Sequence, residues 1–331
     1  MTGCVKIGSF NLYKFSYQSD KDIRKDLSKI AQAIRDGGFD ILAMQEVFHP
    51  AAIDRLMAYL GPGWTSAWAS PPSRSAQAAE GYAFLWRTDK FRLATGKTGE
   101  SDVSPNADKR FAPHIYQQYS RDPILANGRL ARDPFYIRLE SLHGWYELRL
   151  IDTHILFSDT RDQGDGTRPP LLDAEKRRRE FEALVNIYCR ISDKRYRSCR
   201  PSYTFLLGDY NLNLRRSGAL SGPYLSRGAD EDIEKWENGR LLKRIVTRQE
   251  ALTTLKARSS REPDRPAQGF ANNYDHFTYD ELYFADKGGV VSRCGVIDTV
   301  DMLYHDLPDR YDLHRREISD HIPVYLLFSL A

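Results

Sequence analysis

Four cysteines in 331 residues are too few for a disulfide framework. Cys189 and Cys199 are close enough in sequence to pair, but Cys4 and Cys294 sit in apolar, strand-like stretches, so buried free thiols in a reducing compartment are expected. No Cys-x-x-Cys or Cys/His cluster occurs, which argues against structural zinc. No apolar run approaches the roughly 18 residues of a membrane-spanning helix. The opening residues, Met1 to Phe10, lack the charged start and apolar core of a secretory signal and read as a strand. A cytoplasmic location away from membranes is therefore expected. There is no internal repeat, low-complexity tract or obvious linker.

What is present is 41% hydrophobic and 28% charged residues, enough for a substantial core. The net charge is only +3, but it is unevenly spread. Lys176, Arg177, Arg178 and Arg179 form a run, followed by Arg190, Lys194, Arg195, Arg197 and Arg200, then Arg215 and Arg216. Such a run alone most often marks a solvated helix face, yet it can also contact phosphates.

Apolar patterning predicts strands over residues 5–12, 40–47, 82–87, 135–139, 145–153, 203–207, 274–284, 290–297 and 323–328. Ile23, Leu27, Ile30 and Ile34 recur at helical spacing before Gly37-Gly38, and Pro50 opens a short helix carrying Ile53, Leu56, Met57 and Leu60. A long amphipathic helix with Phe181, Leu184, Val185 and Tyr188 facing inward follows a loop at 159–170. Residues 96–131 read as surface loops. Residues 215–270 read as polar and partly helical, anchored by Leu241, Leu242, Ile245 and Val246. Strands without a regular strand–helix rhythm point to an α/β or α+β sandwich with helices outside.

Polar residues recur where apolar strands end: Asn11, Glu46, Asp152 with His154, Asp209 with Asn211, and Asp320 with His321. One Glu after a strand is an ordinary loop start. Five such clusters suggest strand tips gathered into one cleft, with carboxylates for a hard cation and imidazoles for proton transfer. That combination suits hydrolysis of a phosphate ester.

Ser9-Phe10-Asn11, Gln45-Glu46-Val47, Gly208-Asp209-Tyr210-Asn211 and Ser319-Asp320-His321-Ile322-Pro323-Val324 are similar, in order, to the signature motifs of the endonuclease/exonuclease/phosphatase superfamily. Glu80 before the strand Tyr82–Arg87, Arg132-Asp133-Pro134-Phe135, and Tyr274-Asp275 further resemble deoxyribonuclease I and its relatives. The resemblance implies an α/β fold, a four-layered α/β/β/α sandwich of two facing mixed β-sheets flanked by helices. It also implies one domain over 1–331, with basic or polar insertions around 159–200 and 215–270.

By the same resemblance His154 and His321 are the catalytic histidines, supported by Glu80 and Asp275, with Asp209 and Asn211 beside them. Glu46, Asn11 and Asp320 would hold Mg²⁺ or Mn²⁺. Asn11, Arg132, Tyr274, Arg177 and Arg178 would bind substrate. The implied activity is hydrolysis of a nucleic-acid backbone, DNA foremost, with no obligate protein partner. The alternatives are a sphingomyelinase-like or other small-molecule phosphoesterase and a DNA-repair end-processing enzyme. The chain departs from secreted deoxyribonucleases in having neither a matching cysteine pair nor a signal, and its 155–200 and 212–270 regions are longer and more basic than a minimal core needs.

Overall fold

The computed structural model describes residues 3–16, 25–71, 80–94, 113–116, 130–156, 173–194, 200–214, 233–256 and 269–330. One sheet contains β1 (Val5–Phe15), β2 (Ile41–Val47), β3 (Trp64–Ala69), β4 (Gly81–Arg87), β13 (Gly289–Val296) and β14 (Val324–Leu330). Its order is β13-β14-β1-β2-β4-β3, with β1 and β2 parallel. The other contains β5 (Phe91–Leu93), β6 (His114–Ile115), β7 (Phe135–Ser141), β8 (Glu147–His154), β9 (Ser202–Asp209), β10 (Ile233–Glu237), β11 (Arg240–Arg248) and β12 (Asp275–Asp280). Its order is β10-β11-β12-β9-β8-β7-β5, β6 pairs with β7, and β8 and β9 run parallel.

The strands read as continuous apolar runs because both faces are covered. Ile7, Ile41, Phe84, Leu150, Phe205, Phe277 and Phe328 fill the core between the sheets. The alternate residues Phe10, Leu42, Met44 and Leu85 pack outward with Ile30, Ile34, Ile53 and Leu56 of α1 (Leu27–Asp36) and α2 (Pro50–Leu60). On the far side Ile151 and Leu206 meet Phe181, Leu184 and Tyr188 of α3 (Asp173–Ser192). Three cores separate four layers, α/β/β/α. The short helices are α4 (Glu281–Asp286), α5 (Thr299–Tyr304) and α6 (Arg310–Glu317).

Several sequence expectations need correction. Residues 233–248 are not helical but a β-hairpin turning at Asn238-Gly239, both with left-handed φ (51° and 76°). Asn-Gly is the preferred pair for such a turn. Ile245 and Val246 are buried there, but Leu242 is exposed. The strand predicted over 274–284 stops at Asp280, whose carboxylate accepts from Tyr283 N and caps α4. The first helix starts at Leu27, with Asp26 accepting from Ser28 and Lys29 N–H groups. Cys4, Cys189 and Cys294 are free thiols, but Cys4 is exposed rather than buried. Cys199, Arg195, Arg197, Arg215, Arg216 and the 159–170 loop lie outside the described residues.

Gly208 sets the contact between β8 and β9 at the end where the chemistry gathers. Its φ is +137°, and a Cβ there would lie 1.9 Å from the Thr153 carbonyl oxygen. Gly208→Ala should therefore destabilise the protein by about 3 kcal/mol, combining backbone strain with overpacking. Gly3, where a Cβ meets nothing within 4 Å, is the control. Urea unfolding of both variants checks this, and equal midpoints would contradict it.

Candidate active site

The site is the polar end of the core between the sheets. Along β1 the inward positions Val5 and Ile7 continue to Ser9 and Asn11; along β8, Leu148 and Leu150 continue to Asp152 and His154. In β9, Phe205 and Leu207 lead to Asp209, and in β12 Asp275 precedes Phe277 on the same side. The register brings these ends level, since His154 and Asp275 both lie opposite Asp209. The two-residue period of a strand thus carries each side chain into one cleft.

Asp209 is fully buried at the centre. Its Oδ2 accepts from Asn11 Nδ2 (3.0 Å), and its Oδ1 accepts from the Asn211 backbone N–H (2.8 Å). His154 Nε2 and His321 Nε2 lie 3.5 and 3.7 Å from Oδ2. Each imidazole has its other nitrogen on a second carboxylate: His154 Nδ1 on Glu80, and His321 Nδ1 on Asp275 Oδ2 at 2.8 Å. Arg132 closes the first pair through Glu80 Oε2 at 2.5 Å. A carboxylate on one ring nitrogen fixes the tautomer and leaves the other free to exchange a proton.

The electrostatics follow from these contacts. Burial works against the imidazolium of His321, but Asp275 and Asp209 outweigh it and hold its pKa at about 10. His154 is raised as well, Glu80 and Asp209 overcoming burial and the nearby Arg132. Burial pushes Asp209 upward against both imidazoles, whereas His154 and Arg132 pull Glu80 down despite its burial.

Glu46 enters from β2, where its left-handed φ of 59° breaks the strand alternation. Such a conformation costs a non-glycine residue about 1–3 kcal/mol and persists only when surroundings enforce it. Here Asn11 Nδ2 donates to Oε1 (3.1 Å) and Lys14 N to Oε2 (2.9 Å), so one amide reaches both Glu46 and Asp209. Asn211, at φ 50°, sends Nδ2 to the Ile155 carbonyl (2.8 Å) and toward His154 Nε2 (3.2 Å).

The donor set fits a hard divalent cation. Ligand atoms of Glu46, Glu80 and His154 lie within 4.8 Å of one another, as do those of Asp209, Asp275 and His321. No thiolate is among them, and the buried Asp275 Oδ1 and Asp320 Oδ1 have no hydrogen-bond partner. Of the two carboxylates expected to hold metal, Glu46 falls in one of these groups and Asp320 in neither. Asn11 turns its nitrogen to the carboxylates because its oxygen accepts from Tyr13 N at 2.9 Å. In this arrangement it donates to both Glu46 and Asp209. Asp320 Oδ2 pairs with Arg315 at 3.3 Å.

The basic run divides. Arg177 is buried, donates to the Asn211 carbonyl at 3.0 Å and reaches Tyr274, whose pKa burial lifts to about 12. Arg178 and Arg179 instead face Glu175 along the helix surface, at 3.8 and 3.5 Å. The structure also gives contacts to residues that the sequence reading named without a role. Gln45 Nε2 donates across the sheets to Asp152 Oδ1 at 2.5 Å, and burial raises Asp152 well above the usual carboxylate range. Ser319 Oγ donates to the Asn11 carbonyl at 2.6 Å and accepts from His321 N at 3.0 Å, joining the two ends of the chain.

Known proteins resemble this chain in sequence and fold. A curated deoxyribonuclease of Thioalkalivibrio sp. (strain K90mix) is 24% identical over 337 residues, covering 98% of this chain and 71% of that protein. An endonuclease/exonuclease/phosphatase family protein from Bacteroides thetaiotaomicron superposes with a TM-score of 0.54 at 13% identity, covering 100% of this chain and 99% of that one. The mannosyl-6-phosphatase Bt3783 of Bacteroides thetaiotaomicron VPI-5482 gives 0.52 at 13% identity, with 98% and 100% covered. At such identities these two likenesses concern the fold alone. The description "Endonuclease/Exonuclease/phosphatase family" matches residues 8–321, which include every element of the site, and the chain belongs to that family.

Proposed function

We propose that the chain is a divalent-metal-dependent endonuclease that hydrolyses the phosphodiester backbone of nucleic acid, DNA foremost. The observation that carries this reading is the opposition of two His–carboxylate pairs across Asp209, Glu80–His154 on one side and Asp275–His321 on the other. The 24% identity to a deoxyribonuclease over nearly the whole chain supports it.

Mg²⁺ or Mn²⁺ held at Glu46 would place positive charge on a non-bridging phosphate oxygen. The remaining chemistry belongs to the side chains. His154 and His321 each have one nitrogen occupied by a carboxylate and the other turned inward, so one can take the proton of an attacking water while the other protonates the leaving oxygen. Asn11 and Asn211 bring neutral N–H donors to a centre crowded with carboxylates, where the charge building on a phosphate needs them. Arg132 neutralises Glu80 and sits partly exposed at the cleft.

Purified protein should nick supercoiled plasmid with Mg²⁺ or Mn²⁺ and not with EDTA. Glu46→Gln should lose most of that activity, with high Mn²⁺ recovering part of it. Undiminished cleavage by Glu46→Gln in EDTA would rule out its metal role.

Glu80→Gln and Asp275→Asn should each slow DNA cleavage by about 10²–10⁴, the usual worth of general acid–base assistance. Circular dichroism and metal titration should show that fold and metal binding survive. If Glu80→Gln cleaves at the wild-type rate while Asp275→Asn is crippled, the site works through one histidine only and the deoxyribonuclease-type reading fails.

A further inference from the structure

Beside Glu46, three cations from separate parts of the chain surround one aromatic ring. Lys14 Nζ, Lys25 Nζ and Arg315 Cζ stand 5.5, 5.6 and 6.0 Å from the centroid of Tyr13. Lys14 follows Tyr13 in β1, Lys25 lies just ahead of α1, and Arg315 belongs to α6. Asp320 answers Arg315 at 3.3 Å; Lys25 Nζ donates to the Ile318 carbonyl at 2.6 Å, and burial lowers its pKa to about 7 against the pull of Asp320 and Glu46. Among the described residues neither lysine is within ion-pair distance of a carboxylate, and an aromatic face attracts cations without cancelling their charge.

The backbone here is built with effort. Tyr13 and Lys14 are consecutive left-handed residues, φ 43° and 54°, where the β1–β2 register shifts between Asn11 and Phe15. For bulky side chains that is a genuine outlier. It is fixed by the site itself, since Tyr13 N donates to Asn11 Oδ1 and Lys14 N to Glu46 Oε2, both at 2.9 Å. Tyr13 and Lys14 are therefore tied directly to Asn11 and Glu46 of the cleft. The run at 176–179 cannot serve the same purpose as a unit, because Arg177 is buried under Asn211 and Arg178 and Arg179 face Glu175.

We propose that Tyr13, Lys14, Lys25 and Arg315 form a subsite for the backbone phosphate adjacent to the one that is cut. The ligand class is a polynucleotide strand, and the consequence is a preference for it over an isolated phosphodiester. This rests on the nuclease reading above. Lys14 is exposed, so Lys14→Glu should fold normally; Lys25→Ala is a second variant.

Binding of a fluorescein-labelled single-stranded DNA is measured by anisotropy in EDTA over a range of KCl. In parallel, kcat and KM are measured with Mg²⁺ on an oligonucleotide and on bis(p-nitrophenyl) phosphate. Lys14→Glu should weaken DNA binding about tenfold and reduce the slope of log K against log salt by about 1, as loss of one phosphate contact requires. Its loss of kcat/KM should be at least about tenfold greater on the oligonucleotide than on the small diester, carried mainly by KM. Lys25→Ala should act in the same direction. An unchanged salt slope in both lysine variants, or equal losses on the two substrates, overturns the subsite. If wild type cleaves plasmid and the lysine variants bind as it does, the subsite fails and the nuclease reading stands. If wild type leaves plasmid intact yet binds DNA with a Lys14-dependent slope, the nuclease reading fails and the residues bind a strand without flanking a cut phosphate. If it neither cleaves nor binds, both are wrong.

Discussion

The carboxylate of Asp209 sits where water does not reach, and a charge in that position has to be compensated by nearby groups. The compensation comes from both sheets. β1 supplies the Asn11 amide, β8 supplies His154, and His321 arrives from the loop before β14. Each imidazole would in turn be a buried cation, and Glu80 and Asp275 answer them. With both rings protonated, Glu80, Asp209 and Asp275 balance Arg132, His154 and His321. Glu46 is the carboxylate left over, and it is only partly buried. The negative surplus therefore lies where a cation can enter.

That balance explains why the sheets are tied beneath the site by a polar contact rather than by more apolar packing. Gln45 lies next to Glu46 in the chain, and Asp152 is two residues before His154. Their hydrogen bond fixes the strand that carries Glu46 against the strand that carries His154. Burial favours the neutral acid of Asp152, so the clamp adds no charge to a centre already crowded with it. Gly208 serves the same closeness on the backbone side, because any side chain there would push β9 away from Thr153.

Much of this was legible in the sequence because a polar residue at an inward position violates the strand pattern. Asn11, His154 and Asp209 each end an apolar run on the face that should be apolar, and the structure puts all three in one cleft. What was missed had weaker physical signals. The β10–β11 hairpin is solvated on much of its surface, so its strands alternate charges with few apolar residues, and only Asn238-Gly239 marks the turn. The division of the basic run follows helical periodicity: Arg177 lies four and seven residues before Phe181 and Leu184 and shares their buried face, which Arg178 and Arg179 do not. Whether Asn11 shows its oxygen or its nitrogen to the cleft depends on the backbone N–H of Tyr13, a contact made by a local bulge that no residue pattern announces.

The eight histidines make the same point about partners. His276 and His314 are as buried as the two at the cleft and equally close to it in sequence, yet their contacts give them different work. His314 Nε2 accepts from Thr299 Oγ1 and its Nδ1 donates to the Ser319 carbonyl, both at 2.7 Å, a pattern that needs one N–H and one lone pair. Burial accordingly drives its pKa to about 3, and the neutral ring pins the turn whose Ser319 holds Asn11 and His321. His276 faces two carbonyls, Gln249 through Nδ1 at 3.0 Å and Leu212 through Nε2 at 2.8 Å. A neutral ring can donate to only one of them, so the contacts favour an imidazolium while burial pushes the pKa down. In either state it spans the loops that follow Asn211 and precede Asp275. Carbonyl and hydroxyl partners hold an imidazole in place without raising its basicity much, whereas carboxylate partners do both. His154 and His321 have the carboxylates, and that difference separates the histidines that can move a proton from those that keep the cleft in shape.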